Sequence, residues 1–166
     1  MPDVEQQSLS YFMSRPEQGR WAGLLRALAD ELSSQMSAAE IRAFFVVLGR
    51  RWARAMPLSI ADRRDSGLSD FERAANAVLA PCDWGWVRVR DLGSIVELEH
   101  SCAPLRSAFG AEALPWSTGL LEGLYAGWMQ ALGADGDLVL RQVGGAEGAA
   151  DTLRFRLAAA SSQPAA

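Results

Sequence analysis

Apolar residues recur at helical spacing through the first half of the chain and at strand spacing through much of the second. Leu9, Phe12 and Met13 share one helical face, and Pro16 and Gly19 end that segment within about two turns. Trp21, Leu24, Leu25, Leu28 and Leu32 then predict an amphipathic helix with those side chains on its buried face. Ser37 followed by Glu40 is a capping-box pattern: hydroxyl and carboxylate each satisfy a backbone N–H that the first helical turn leaves without a partner. The helix it opens carries Ile41, Phe44, Phe45, Leu48 and Trp52, and closes at Met56-Pro57, because the residue before proline disfavours helical geometry. Residues 61–67 are polar and predict a loop. Ser69 with Glu72 repeats the capping pattern before Phe71, Ala75, Val78 and Leu79, and Pro81 ends that helix.

The period then changes to two. Trp84, Trp86, Arg88 and Arg90 fall on one parity and Val87 and Val89 on the other, a turn follows at 91–93, and residues 95–100 alternate Val96 and Leu98 against Glu97 and Glu99. After a stretch rich in Ala, Gly and Pro, a helix is expected over 117–132, followed by a second hairpin from strands 137–143 and 152–157. The fold class is therefore α+β: a helical N-terminal half, then an antiparallel four-stranded sheet of two hairpins separated by a helix. Residues 1–19 form an N-terminal segment with a short helix, 20–158 a single domain, and 159–166, small and polar, a flexible tail.

Composition narrows the chemistry. A chain of 166 residues, 49% hydrophobic and 22% charged, is long enough for one domain with a real core. Its net charge of −4 opposes nonspecific binding to nucleic acid. Every basic side chain is arginine, which excludes Schiff-base chemistry, a P-loop lysine and a lysine general base. No stretch reaches the roughly 18 to 20 apolar residues of a membrane span, and the acidic N-terminus fits no secretory signal, so the expected location is the cytoplasm, with the periplasm as the disfavoured alternative. In that reducing compartment Cys82 and Cys102 are expected as free thiols.

Candidate sites are few. His100 and Cys102 would share a face if the strand continued, the minimum for thiol catalysis, but no orienting third group is visible and packing at a strand end explains both. Cys82, His100 and Cys102 fall short of the four closely spaced ligands of structural zinc. Asp135, Gly136 and Asp137 lack the remaining ligands of a calcium loop and read as a turn. Gly144, Gly145 and Gly148 belong to a hairpin rather than to a nucleotide-binding loop. No catalytic residue, metal or cofactor is therefore expected. Six tryptophans raise a carbohydrate reading: Trp21, Trp52 and Trp128 fit helical core faces, while Trp84, Trp86 and Trp116 are candidates for stacking on glucan. Gly119, Gly123 and Gly127 lie four apart on one helical stripe. Each costs about 1 kcal/mol relative to alanine, so something must approach that stripe closely, either a neighbouring element of the chain or a second copy of it. With Leu120, Leu124 and Trp128 they form the candidate oligomer interface.

The run from 116 to 140, WSTGLLEGLYAGWMQALGADGDLVL, resembles the C-terminal signature of the D subunit of bacterial cellulose synthase, through Leu121-Glu122-Gly123-Leu124-Tyr125, Trp128 and Gly136-Asp137. Trp84-Gly85 before a strand, His100 at the end of the next, and the helix running into Met56-Pro57 are similar too. The resemblance implies a non-catalytic accessory subunit that assembles with itself into an octamer, a tetramer of dimers, and promotes ordered export of crystalline cellulose. It implies as partners other cellulose synthase subunits, a proline-rich accessory protein and glucan chains. A glucan-binding module using the tryptophans is the alternative.

Overall fold

The computed structural model describes residues 21–60, 67–134, 136–147 and 151–159. The expected helix at residues 9–13, most of the loop at 61–67 and residues 160–166 of the expected tail lie outside them.

Helix α1 spans Ala22–Gln35 and α2 Ala38–Ala55. The capping box that opens α2 forms: the Ser37 N–H donates to Glu40 Oε2 at 2.9 Å, and the Glu40 N–H donates to Ser37 Oγ at 3.4 Å. Helix α3, Leu68–Leu79, begins differently from the expectation. Gly67 is its N-cap, with its N–H 3.1 Å from Asp70 Oδ2, and Ser69 lies inside the first turn. Glu72, expected in the cap, reaches instead across to the sheet.

Strand β1 (Trp86–Asp91) pairs antiparallel with β2 (Val96–Ser101), and β3 (Leu138–Glu147) with β4 (Thr152–Ala159). β2 also pairs with β4, so the two hairpins join into one antiparallel sheet of order β1-β2-β4-β3. Between the hairpins lie two short helices, α4 (Leu105–Phe109) and α5 (Leu114–Ser117), and then α6 (Gly119–Ala131). The single helix expected over 117–132 is thus α6 preceded by a separate turn, and β3 and β4 run longer than their expected 137–143 and 152–157. The α+β architecture is the one the periodicity predicts.

Register explains the two faces of the sheet. Val87, Leu98, His100, Leu153, Phe155, Leu157 and Leu140 point one way and are buried, with α6 packed over them. The opposite parity carries Arg88, Arg90, Glu97, Glu99, Arg154 and Arg156, with ion pairs across strands at Arg156–Glu97 (3.0 Å), Arg90–Glu99 (3.8 Å) and Arg154–Glu99 (3.7 Å). α3 covers the free edge of β1 by imitating a strand. Asn76 both donates to the Val87 carbonyl and accepts from the Val87 N–H, each at 2.8 Å, and Glu72 Oε2 accepts from the Val89 N–H at 2.7 Å. An edge satisfied by side chains offers no template for a foreign strand.

The buried faces of α1 and α2 differ from the expected ones. On α1 the inward residue is Ala29, flanked by half-buried Leu25, Leu32 and Met36, while Trp21, Leu24 and Leu28 stand in solvent. On α2, Ile41, Phe45, Gly49 and Ala53 face inward, Trp52 is half-buried, and Phe44 and Leu48 are exposed. α1 packs chiefly on α4, whereas on α2 the reason is its contact with α6, where small residues let the backbones approach. A Cβ on Gly123 would sit 2.0 Å from the Val46 carbonyl oxygen, and one on Gly49 would sit 2.0 Å from that of Leu120. Gly119 faces Arg42, and Gly127 faces Ala53.

Gly123→Ala should therefore destabilise the protein by about 2 kcal/mol or more, because forced separation of two backbones outweighs the roughly 1 kcal/mol gain in helix propensity. Gly23→Ala, on α1 with nothing within 4 Å of the added carbon, should raise stability by a few tenths of a kcal/mol to about 1. Urea unfolding of the two variants checks both signs; equal effects would contradict the close-approach reading.

Candidate functional site

Three groups of side chains converge where α2, α6 and the sheet meet. The first is a polar hub. Arg42 of α2 donates through Nη1 to the Pro115 carbonyl (3.1 Å) and Thr118 Oγ1 (2.9 Å), and through Nη2 to Glu122 Oε2 (2.8 Å) and Gln142 Oε1 (3.1 Å). The same Glu122 oxygen accepts from the Gln142 backbone N–H at 3.0 Å. One guanidinium thus ties α2, the α5–α6 junction and β3 together, with the forked donor geometry that lysine could not supply.

The second group closes the far end of the same helix pair. The Trp128 indole N–H donates to the Met56 carbonyl at 2.8 Å, capping a carbonyl at the C-terminus of α2 that has no partner within its own helix. The third group is buried. Tyr125 of α6 and His100 of β2 are fully enclosed, and the tyrosine hydroxyl lies 2.5 Å from His100 Nδ1. The Tyr125 ring also packs on Phe155 and Trp128, with centroids 5.6 and 5.8 Å away.

Burial pushes the His100 imidazole down from its ordinary 6.5 to about 4, opposed only in part by the Trp84 main chain. Burial likewise raises the Tyr125 hydroxyl well above its usual value. Both groups are neutral near pH 7, so the phenol O–H can donate to an unprotonated Nδ1, which places the imidazole proton on Nε2. His100 Nε2 lies in the interior with no group in hydrogen-bond geometry. The imidazole is thus neutral and enclosed, and a proton relay to a substrate would need an opening in the core.

Cys102 does not continue the strand. β2 ends at Ser101, and Cys102 adopts φ +63° and is buried, so the shared face that a continued strand would give His100 and Cys102 is not formed. Both cysteines are free thiols, Cys82 exposed and Cys102 buried. Among the described residues no three His, Cys, Asp or Glu side chains gather as metal ligands; Asp135, in the expected turn, lies outside them. Gly85, at φ +73°, passes so close to β2 that a Cβ would lie 1.9 Å from the Ser101 carbonyl oxygen, which explains the Trp84-Gly85 pair before β1.

The candidate stacking tryptophans do not form one platform. Trp116 is buried against Phe45 and Phe109, at 4.9 and 5.8 Å, and cannot receive a sugar ring. Trp84 precedes the strand, so parity with Trp86 does not apply, and its ring packs on Trp52 at 4.6 Å. Trp84 and Trp86 are each half-buried. The candidate interface is likewise used within the chain. Gly119, Gly123 and Gly127 meet α2, while Leu120, Leu124 and Trp128 are in the core. The close approach that the glycine spacing demands comes from α2 of the same chain, and this stripe is not an open surface.

Sequence reasoning missed Arg42 and Gly49. Gly49 could have been found: it lies at i+4 from Phe45 and i+8 from Ile41, on the stripe that the larger apolar residues mark. Arg42 carried no such signal, because its partners lie 73 to 100 residues away.

Fold and site together define an α+β domain held by a close helix pair over an antiparallel sheet, with one polar pair buried in its apolar core. The sequence model of the family described as the cellulose synthase D subunit matches residues 7–156, and the chain belongs to that family. It thereby has a role in cellulose biosynthesis. None of the curated proteins matches it in sequence. Among solved structures it is similar to a trafficking protein particle complex subunit 3 from Naegleria fowleri, described as covalently bound to palmitic acid, at 11% identity over 93% of each chain with a TM-score of 0.51. At that identity the likeness is one of fold. No helix among the described residues is long and apolar enough to cross a membrane.

Stability should fall with acid through His100. Its folded pKa of about 4 lies below its unfolded value near 6.5, so its contribution is complete above pH 6.5 and is lost as pH falls toward 4, by roughly 3 kcal/mol. Denaturant unfolding across pH 4 to 7 should show this slope in the wild type and a shallower one in His100→Gln. Equal slopes would mean that the imidazole is not sealed.

Proposed function

We propose that this chain is a non-catalytic, homo-oligomeric scaffold of the bacterial cellulose synthesis and secretion machinery, which promotes ordered, crystalline export of glucan chains. The observation that carries the reading is the use of the residues that resemble the family's signature. Leu121, Leu124 and Tyr125 fill the core, Glu122 holds Arg42, Gly123 admits α2, and Trp128 caps Met56. All of them hold the molecule's shape, and the lone histidine is sealed behind them. Such a molecule acts through its surface.

In this reading the protein works from the cytoplasmic side as an octamer, a tetramer of dimers. It holds neighbouring synthase complexes in register through contacts with other synthase subunits and a proline-rich accessory protein. Apolar burial between copies supplies the energy and charged rims set orientation. The solution mass by light scattering after gel filtration tests it: a single species near eight times 17.9 kDa is expected. A monomer at all concentrations would contradict self-assembly and favour a glucan-binding module on Trp84 and Trp86, whose fluorescence would then respond to cello-oligosaccharides.

A further inference from the structure

Six large apolar side chains stand in solvent on two consecutive helices: Trp21 at 68% exposure, Leu24 at 62% and Leu28 at 45% beside α1, and Phe44 at 51%, Val47 at 51% and Leu48 at 40% on α2. The helices repeat one pattern. Leu24, Leu28 and Glu31 on α1 have the same four-then-three spacing as Phe44, Leu48 and Arg51 on α2, so each apolar stripe ends, at the same height, in a charge opposite to the other's. Glu31 and Arg51 are both exposed; Glu31 Oε1 accepts from Gln35 Nε2 at 3.0 Å, and neither residue forms an ion pair among the described residues. α1 also lacks a side-chain N-cap, an acidic first turn and a basic last turn, so little local chemistry supports it beyond the burial of its Ala29 face.

We propose that these stripes are the self-association surface, α1 of one copy packing parallel to α2 of a second copy about a two-fold axis. Leu24 then lies level with the partner subunit's Phe44, Leu28 with the partner subunit's Leu48, and Glu31 with the partner subunit's Arg51. A two-fold interface requires a surface that complements itself, and an acid-ended stripe beside a base-ended stripe of identical spacing meets that requirement. The six side chains expose on the order of 500 Å² of apolar area, most of the roughly 800 Å² that each partner contributes to a standard interface. This assignment rests on the self-assembly reading above but names a different surface from the glycine stripe of α6, which is closed.

The test compares the full-length protein with Glu31→Arg and Arg51→Glu variants by light scattering over a concentration series. Each variant alone sets like charges against each other at both ends of the interface, and its dissociation constant should rise at least tenfold. In an equimolar mixture every Arg meets a Glu across the two-fold axis, so the wild-type mass should return. Leu24→Glu and Leu48→Glu, at exposed positions, should leave circular dichroism unchanged while lowering the mass. An oligomeric wild type whose mass none of these changes alters would overturn this surface and leave self-assembly standing. The same would hold if residues 1–20 of the same chain covered the stripe, since Leu24→Glu would then shift stability without shifting mass. A monomeric wild type would overturn both.

Discussion

The close approach of α2 to α6 is the constraint on which the rest of the molecule depends. Two helices ordinarily stand roughly 8 to 10 Å apart, held off by their side chains. Here Gly49 from one side and Gly119, Gly123 and Gly127 from the other remove those side chains, and backbone meets backbone. That closeness brings Arg42 within reach of Pro115, Thr118, Glu122 and Gln142 at once, and Trp128 within reach of the Met56 carbonyl. It also fixes the rotation of α6 about its axis, which sends Tyr125 into the sheet to meet His100 and Phe155. A polar pair deep in an apolar core is costly unless its geometry is held, and the helix pair holds it.

The same contact explains what was legible in the sequence. The strands, the Ser37 capping box and the need for something close to the glycine stripe were all visible, because each is a local pattern with a local cause. Which element fills that need was not, since Gly49 and Val46 lie some 75 residues before Gly123. The inner face of α2 differs from the expected one for a related reason. Apolar periodicity says which residues avoid water, whereas a tight helix pair selects its inner face by smallness. On α2, Gly49 and Ala53 take inner positions beside Ile41 and Phe45, and Phe44 and Leu48 are left outside. Trp116 was misread because nothing in its neighbourhood indicates that Phe45 and Phe109 will enclose it.

A sealed core and an apolar exterior belong together. The sheet has one edge masked by Asn76 and Glu72 and one face of paired Arg and Glu, both resistant to casual association. The large apolar side chains left outside concentrate on α1 and α2, with only Leu92, Leu138 and Val143 exposed elsewhere among the described residues.

Native-state hydrogen exchange tests the central role of the α2–α6 contact most directly. If the contact holds the molecule together, amides of residues 45–53 and 120–128 should exchange only through global unfolding, at the free energy found by denaturant, together with those of β2 and β4. Exchange of either helix through a smaller opening, with the sheet still protected, would contradict it.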